Sequence, residues 1–399
     1  MIAWILHIPI LLALAWTISR KYSKYNSWVP LSIVVKVLGT LAFGFIFIFY
    51  YGQGDSLALH QQILEFKSYQ DGGLFPYLQR LFEYINPHQG NPRTVFIVRM
   101  VAPLSWLSFG NYWITGFYLS LFFIAGCWRL IEHISQRFPA STLPTIIAFC
   151  FLPSLVFWNA GLSKDTIANG SFFFLCSYLL DILAGKFKRN QIFIFLLLFL
   201  ILVMSKHYLA GTFFFLGLAI WLDQQLRNAA IWKRIVGFSS IIITALIGIR
   251  FFFIRLRPER LPLTIYELNQ QILEKSEANT ISFNLEPNWL SLISQLPKAL
   301  WSGLFLPLPW KASNVLQLMV SIENLIFLIL SAISIWLLKR VRTNNLLMIT
   351  VIFIALLSIV LSLTTPNLGS LSRYKTAFLP FFFIVISTLP LNYWRRRSV

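Results

Sequence analysis

Apolar segments of membrane-spanning length recur along almost the whole chain, and they constrain its fold more than any other feature. Runs of about 18 to 22 apolar residues are long enough for a helix to cross the hydrocarbon core of a bilayer. Hydrophobic residues make up 57% of the chain and charged residues 12%, which lies outside the range of water-soluble globular proteins. A transmembrane β-barrel would instead show alternating segments of about ten residues. The sequence therefore predicts an all-α polytopic membrane protein.

The distribution of charge predicts the orientation of this protein in the membrane. About eleven transmembrane helices are expected, at about 2–18, 29–50, 110–131, 142–158, 166–184, 191–205, 209–222, 235–254, 316–338, 345–364 and 375–393. The loops on one side are short and basic, as cytoplasmic loops are, and ten of the 14 acidic residues fall on the other side. We expect a protein of the bacterial inner (plasma) membrane with its N-terminus outside and its C-terminus in the cytoplasm. The net charge of +19 follows this orientation, so nucleic acid is not an expected partner.

Two long loops are expected to cap a single transmembrane domain, 1–399, on the extracytoplasmic side. The first loop, about 51–109, contains two amphipathic pieces, and the second, about 255–315, ends in an aromatic, Pro-rich stretch. The three cysteines, Cys127, Cys150 and Cys176, all lie inside apolar runs. This placement excludes a disulfide framework and predicts that they are core residues.

The first outer loop opens with the stretch Tyr51-Gly-Gln-Gly-Asp55, directly after an expected span. Asp55 therefore lies at the membrane–water boundary on a turn made flexible by two glycines. An enzyme that acts on a lipid-linked head group needs its base or metal ligand at this depth. The alternative is that Asp55 caps the helix that follows, because Asp is a favoured N-cap residue.

Three further outer-face features carry cations at a similar depth. Lys164 and Asp165 begin a span. The N-terminus of a helix with a lysine beside it can bind an anion. The alternative is that Ser163 or Asp165 is an ordinary N-cap residue. Lys206 and His207 lie between two short apolar runs. They either anchor the chain at the membrane interface or contact a phosphate. Finally, Arg373 and Tyr374 precede the last span, and the guanidinium fork of arginine suits phosphate.

Taken together, these residues predict a ring of one acid and several cations at the outer membrane surface. Glycosyl transfer from a lipid phosphate needs such parts: a carboxylate to take the proton of the acceptor hydroxyl, and cations to stabilise the departing phosphate. Asp55 is the expected catalytic residue. The expected substrate-binding residues are Lys164, Asp165, Lys206, His207, Arg373 and Tyr374.

The sequence resembles the multispan glycosyltransferases of the GT-C fold. The resemblance is carried by Tyr51–Asp55 after an early span, by the stretch 151–165 and by Asn367–Tyr374 before the last span. It implies a polyprenyl-phosphate-linked sugar as donor, a glycan or lipid-linked acceptor and surrounding membrane lipids as partners. In that family the first outer loop holds the catalytic acid, and Asp55 is the matching position.

Two departures from the family pattern bear on these expectations. The family often has a pair of acids in the first outer loop, whereas the next acid after Asp55 is Glu65. No cofactor is therefore assigned with certainty, and a divalent cation beside Asp55, supplemented by His60, is left open. The acid loop also follows the second span instead of the first, which implies an additional N-terminal helix.

Other functions are compatible with the same features. A polysaccharide polymerase or ligase also uses outer-face arginines; Arg255, Arg257 and Arg260 in the second loop suit one, but the five acids of that loop count against it. A flippase or transporter of lipid-linked sugars should carry ionisable residues deep within its spans. Lys36 and Asp181 are expected to snorkel toward the cytoplasm, which leaves Glu323 as the one deep exception. His7 and His133 are expected to have no partners, and nothing specific favours a non-catalytic scaffold.

Overall fold

The part of the chain that the computed structural model describes is mostly helical and contains no β-strand beyond one isolated bridge between Thr280 and Asn367. That part comprises residues 2–68, 73–83, 91–226, 230, 232–233, 236–237, 239–240, 257–276, 279–337 and 345–397. The helices are α1 (Ile2–Lys21), α2 (Trp28–Phe45), α3 (Asp55–Ser68), α4 (Leu74–Phe82), α5 (Pro92–Leu107), α6 (Tyr112–Arg137), α7 (Thr142–Cys150), α8 (Pro153–Trp158), α9 (Lys164–Leu183), α10 (Ile192–Ser205), α11 (His207–Gln225), α12 (Leu261–Glu274), α13 (Trp289–Phe305), α14 (Val315–Leu337), α15 (Asn345–Thr364), α16 (Leu368–Tyr374) and α17 (Leu379–Arg397). Over these residues the predicted all-α class is confirmed.

Six of the described helices are long and apolar enough to cross a membrane. They are α1, α2 with its π-helical continuation to Tyr51, α6, α9, α14 and α15. Each coincides with a span expected from the sequence, so the prediction of a polytopic membrane protein is confirmed. Three shorter apolar stretches, Pro139–Cys150, Arg189–Ser205 and Leu379–Thr388, match further expected spans. The total of eleven stays a prediction, because most of the expected span 235–254 lies outside the described residues.

The chain divides into two compact units, Met1–Gly211 and Thr212–Val399. The first unit is built around α6 and α9, which pack closely because glycines face each other along the contact. A Cβ added at Gly170 would lie 2.8 Å from the Phe122 ring, and one added at Gly126 would lie 2.9 Å from the Gly170 carbonyl oxygen. Small residues allow such close helix approach in membrane proteins. Cys127, Cys150 and Cys176 are buried and free, which confirms their prediction as core residues.

The expected span 142–158 is two helices instead of one. Helix α7 ends at Cys150 and α8 begins at Pro153. Proline disfavours a helical conformation in the preceding residue, and Leu152 is extended, with φ −63° and ψ 122°. Proline at the first position of α8 is favourable, because the missing N–H has no helical partner there.

Helices α3, α4 and α5 of the first outer loop pack together over the ends of α6, α9 and α10. Their buried core includes Leu59, Ile63, Tyr77, Ile97 and Leu162. The two amphipathic pieces expected from the sequence correspond to α3 and α5. Helix α4 is a third piece that the sequence analysis did not identify.

In the second unit, part of the second outer loop packs against the sides of spanning helices. At Gly303 of α13, an added Cβ would lie 2.4 Å from the Ser358 carbonyl oxygen of α15. Asn324 Nδ2 of α14 donates to the Pro307 carbonyl oxygen at 2.8 Å. An α-helix rises 1.5 Å per residue. Along the helix axis, Ser358 therefore lies about 9 Å before the end of α15, and Asn324 lies about 14 Å after the start of α14. The segment around 300–308 therefore lies alongside the interior of these helices, as a re-entrant segment does.

Candidate functional site

Asp55 is the first residue of α3 and is exposed. The turn before it depends on glycine, because Gly52 has φ +63° and Gly54 has φ +130°. The Gly54 carbonyl oxygen accepts a hydrogen bond from Ala58 N at 3.0 Å, which is the first bond of the helix. Gly54 therefore occupies the N-cap position, and Asp55 lies in the first turn, where a negative charge is favoured by the helix dipole.

Ser56 fixes the start of α3 beside the segment that leads into α9. Its hydroxyl is buried, donates to the Leu162 carbonyl oxygen at 2.7 Å and bonds to the Tyr112 hydroxyl at 2.8 Å. Leu162 lies two residues before Lys164 in the chain. These bonds place the N-terminus of α3 next to the loop that precedes α9.

The loop 159–163 is held by a buried polar network. Asn169 Nδ2 donates to Asn159 Oδ1 at 2.6 Å, and Gly161 N donates to Ser120 Oγ at 2.9 Å. Ser163 then caps α9, because its Oγ accepts a bond from Asp165 N at 3.2 Å. The capping role expected for Ser163 is thereby observed. Lys164 stays beside this cap, where it is half-buried.

Asp165 and Lys206 form an ion pair with each other. Lys206 Nζ lies 2.5 Å from Asp165 Oδ1, and the two residues are only 6% and 1% exposed. Lys206 has φ −139° and ψ 76°, so the helix breaks there and the side chain turns toward α9. The pair joins the start of α9 to the junction of α10 and α11, and the two charges balance each other.

The N-termini of α5, α9 and α11 converge beside this ion pair. Lys164 Nζ, at the start of α9, donates to Thr94 Oγ1 in the first turn of α5 at 2.8 Å. His207 begins α11, and Arg93 is close enough to affect its ionisation. Desolvation first, and then the positive charge of Arg93, lower the pKa of His207. We call Arg93, Lys164 and His207 the cationic cluster.

The cationic cluster suits an anion. Each helix N-terminus carries a partial positive charge of about half an elementary charge, and three of them meet here. Sequence reasoning missed Arg93, although the stretch Asn91-Pro92-Arg93 contains a signal. Asn91 Oδ1 accepts a bond from Arg93 N at 3.1 Å, and Pro92 takes the first helical position. An N-cap residue followed by proline marks a helix start, and a cation beside it marks a candidate anion site.

Arg373 and Tyr374 close the short helix α16 in the second unit. Both are half-buried, and the Arg373 guanidinium lies 5.9 Å from the centre of the Tyr374 ring. The start of α16 is held because Leu368 N donates to the Asn279 carbonyl oxygen at 2.9 Å. Its end is held by the fully buried Lys375, whose Nζ donates to Asn324 Oδ1 at 2.5 Å. The approach of Arg373 to the residues of the first unit stays a prediction.

The divalent cation considered beside Asp55 also stays a prediction. In the part of the chain that the structure describes, no three His, Cys, Asp or Glu side chains are grouped as metal ligands. His60 packs edge-on against Tyr112, with ring centres 5.3 Å apart, and desolvation lowers its pKa. This packing gives His60 a structural contact on the side of α3 that carries Ser56.

The structure therefore gathers five of the predicted residues of the first unit around the loop 159–165. Asp165 and Lys206 pair with each other, Lys164 and His207 flank them, and Ser56 holds Asp55 nearby. Comparison with known proteins adds no assignment to this site. No family model matches the chain, and neither a curated protein nor a solved structure matches it.

Proposed function

We propose that this protein is an integral-membrane glycosyltransferase. It transfers a sugar from a polyprenyl-phosphate-linked donor to an extracytoplasmic glycan or lipid-linked acceptor, on an architecture of about eleven spans like that of the GT-C enzymes. The observation that carries this proposal is the convergence of three helix N-termini with Arg93, Lys164 and His207, next to the start of α3 with Asp55. The site lies on the face expected to be extracytoplasmic.

The cationic cluster takes the donor phosphate in this proposal. The leaving phosphate gains negative charge as the bond to the sugar breaks, and fixed dipoles and cations stabilise that charge. Lys164 is held ready by Thr94, and Arg93 offers a planar fork of donors for phosphate oxygens. Arg373, which the sequence predicts as a phosphate ligand, is kept in the proposal on that ground alone.

Asp55 is the general base of the proposed reaction. An exposed carboxylate at the start of α3 can accept the proton of an acceptor hydroxyl that arrives from the aqueous side. Two exposed aromatic residues, Phe49 at 72% and Tyr50 at 74%, lie in the last turn of the preceding spanning helix. Aromatic side chains favour the membrane–water interface, so they set the depth at which Asp55 emerges.

Asp165 and Lys206 act as positioning residues in this scheme. Since their charges balance each other, the proposed phosphate contacts fall to their sequence neighbours, Lys164 and His207. The ion pair fixes the start of α9 against the start of α11. It thereby sets the spacing of Lys164 and His207.

The test compares donor binding with sugar transfer in matched variants. Asp55→Asn should bind a polyprenyl phosphate normally and lose about a hundredfold to ten-thousandfold in transfer rate, as expected for a general base. Glu65→Gln is its control, an exposed acid on the same helix, and it should keep full rate. Lys164→Met should weaken binding of the phosphate, whereas the exposed Lys188→Met should not. Wild-type transfer by Asp55→Asn would refute the assigned base, and unchanged binding by Lys164→Met would refute the phosphate site.

A polymerase or ligase would use the same cationic cluster against a lipid diphosphate. Arg257 and Arg260 lie at the start of the described part of the second loop, and Arg255 lies outside the described residues. Offering both donors to the purified protein separates the two chemistries. Transfer from the diphosphate donor alone would favour the polymerase or ligase.

A transporter of lipid-linked sugars is the second candidate, because two ionisable residues of the spanning helices are more deeply buried in the protein than the sequence indicated. Lys36 is only 4% exposed and donates to the Val156 carbonyl oxygen at 3.3 Å, so it does not snorkel. Asp181 is 8% exposed and lies 2.7 Å from Arg129 and 2.8 Å from His133. Buried ionisable groups of this kind mark pathways in transporters. Translocation of a labelled lipid-linked sugar in proteoliposomes, without transfer to any acceptor, would favour this function.

A further inference from the structure

The turn that joins α1 to α2 presents three cations close together in sequence. Arg20 and Lys21 end α1, and Lys24 lies in the short 3₁₀ turn that follows. All three are exposed, and none of them forms an ion pair with a carboxylate among the described residues. We call Arg20, Lys21 and Lys24 the basic turn. It lies at the end of the first unit that the sequence predicts to be cytoplasmic.

Two buried tyrosines fix the basic turn against α6. The centre of the Trp128 ring lies 6.1 Å from that of Tyr22 and 5.3 Å from that of Tyr25. Trp128 is fully buried, and its Nε1 donates to Ser32 Oγ of α2 at 2.8 Å. Tyr25 N donates to the Tyr22 carbonyl oxygen at 2.9 Å, which closes the turn. The backbone that carries the three cations is therefore held between α2 and α6.

Each cation of the basic turn also lies over an aromatic ring. The distance from the cation to the ring centre is 4.7 Å for Arg20 over Trp16, 5.4 Å for Lys21 over Tyr22 and 5.9 Å for Lys24 over Tyr25. An aromatic ring attracts a cation through its face but carries no net charge. The rings therefore orient the three side chains and leave their charge and N–H donors for an anion.

The acids at this end of the first unit do not balance the basic turn. Asp181 of α9 lies 2.7 Å from Arg129 and 2.8 Å from His133. Glu132 of α6 is half-buried and lies near the tyrosines, since burial first, and then the charge of Glu132, raise the pKa of Tyr22. One carboxylate cannot offset three cations. The basic turn therefore keeps a net positive charge.

The surroundings of the basic turn indicate which anion reaches it. Trp16 is 58% exposed near the end of α1, and Trp28 is 39% exposed at the start of α2. Exposed tryptophans concentrate at the level of the lipid headgroups. Leu12 and Leu14, on the side of Trp16 away from the turn, are also exposed, and almost none of α1 is buried by the rest of the described chain. An anion beside the basic turn therefore lies at headgroup level, next to an uncovered apolar helix.

We propose that the basic turn binds the headgroup of an anionic phospholipid, with the acyl chains of that lipid along α1. The phosphodiester accepts hydrogen bonds from the guanidinium and the two amines. The acyl chains cover the apolar surface from Leu12 to Trp16, which a free phosphate would leave bare. Anionic lipids are enriched in the cytoplasmic leaflet, the side on which the sequence predicts this turn. The site shares no residue with the cationic cluster and does not depend on the proposed glycosyl transfer.

The experiment measures lipid binding to the purified full chain in detergent by native mass spectrometry. Dioleoylphosphatidylglycerol is the anionic probe, and dioleoylphosphatidylcholine, which has the same chains and no net charge, is the matched ligand. The wild-type protein should bind the anionic lipid on the order of tenfold more tightly, because basic side chains attract an anionic headgroup. Equal binding of the two lipids would overturn the proposal. Displacement of the lipid by an equal concentration of inorganic phosphate would assign the turn to a soluble anion instead.

Two double variants separate this site from the general positive charge of the surface. Lys21→Gln/Lys24→Gln should lose most of the preference for the anionic lipid. Lys186→Gln/Lys188→Gln removes the same charge from exposed lysines in the loop after α9 and should keep the preference. All four lysines are exposed, so thermal unfolding should be unchanged in both variants. An equal loss of preference in the two double variants would show that net charge alone attracts the lipid, and would refute the site.

Discussion

Breaking the ion pair between Asp165 and Lys206 tests the central structural claim about the outer-face site. Lys206→Met leaves the Asp165 carboxylate 1% exposed and without its cation. Removing one partner of a buried pair costs about 3–5 kcal/mol, because the remaining charge stays desolvated. Replacing both partners by similar uncharged side chains is close to neutral. We therefore expect Lys206→Met to destabilise the protein strongly and the double variant Asp165→Asn/Lys206→Met to recover most of the loss.

Thermal unfolding of the purified protein in detergent measures this cycle. Lys206→Met should lower the midpoint by on the order of ten degrees, at roughly 2–4 °C per kcal/mol for a unit the size of Met1–Gly211. The double variant should lie within a few degrees of wild type. Single effects that simply add in the double variant would show that the two residues do not interact, and would refute the pair.

The same cycle decides whether the two residues contact the substrate. The sequence predicts both as substrate-binding residues, whereas the structure pairs their charges. If they only position Lys164 and His207, the double variant should keep most of its affinity for a polyprenyl phosphate. A stable double variant with no affinity would restore the sequence prediction and refute the positioning role.

Three further predictions concern the second unit, the pH dependence and the topology. Arg373→Lys keeps the charge but loses the fork of donors, so donor binding should weaken while transfer is partly retained; unchanged binding would remove Arg373 from the site. Because the pKa of His207 is lowered, its ring gains a proton only below pH 6.5, so donor binding should strengthen as the pH falls below that value. This rise should vanish in His207→Gln, and a rise that persists there belongs to another group. Cysteines introduced at Gln53 and Ser370 should react with an impermeant reagent in intact cells and one at Ser398 should not; the reverse pattern would overturn the orientation.

The fold class could be predicted from the sequence because it depends on local hydrophobicity alone. The six long apolar helices lie where the sequence predicts them. An apolar segment in lipid must form all its backbone hydrogen bonds internally, and a single segment can do so only as a helix. The break at Pro153 follows from proline chemistry and could also have been anticipated. Helix α4 was missed although its nine residues, Leu74–Phe82, separate apolar from polar positions at a clear helical spacing.

The partners of charged residues could not be predicted, because they come from distant parts of the chain. The prediction that His133 has no partner was wrong, since Asp181 lies 48 residues away in sequence and 2.8 Å away in space. His7 likewise bonds to Tyr118 and to the Leu107 carbonyl oxygen. Lys36 was expected to snorkel because its stem is long enough, but it turns inward to Val156 instead.

The outer-face site depends both on local sequence signals, which start its helices, and on long-range contacts, which bring those helices together. Each helix start is legible in the sequence, since Asn91 precedes α5, Ser163 precedes α9 and a charged break at Lys206 precedes α11. The ion pair of Asp165 and Lys206 joins α9 to α11, and the bond from Lys164 to Thr94 joins α9 to α5, which one sequence cannot show. A buried pair costs desolvation energy and is weak evidence for stability. It is retained here, we infer, because it fixes the distance between Lys164 and His207, whose separation must match a phosphate. Replacing the pair by uncharged residues should therefore cost little stability but broaden the range of anions that the cationic cluster accepts.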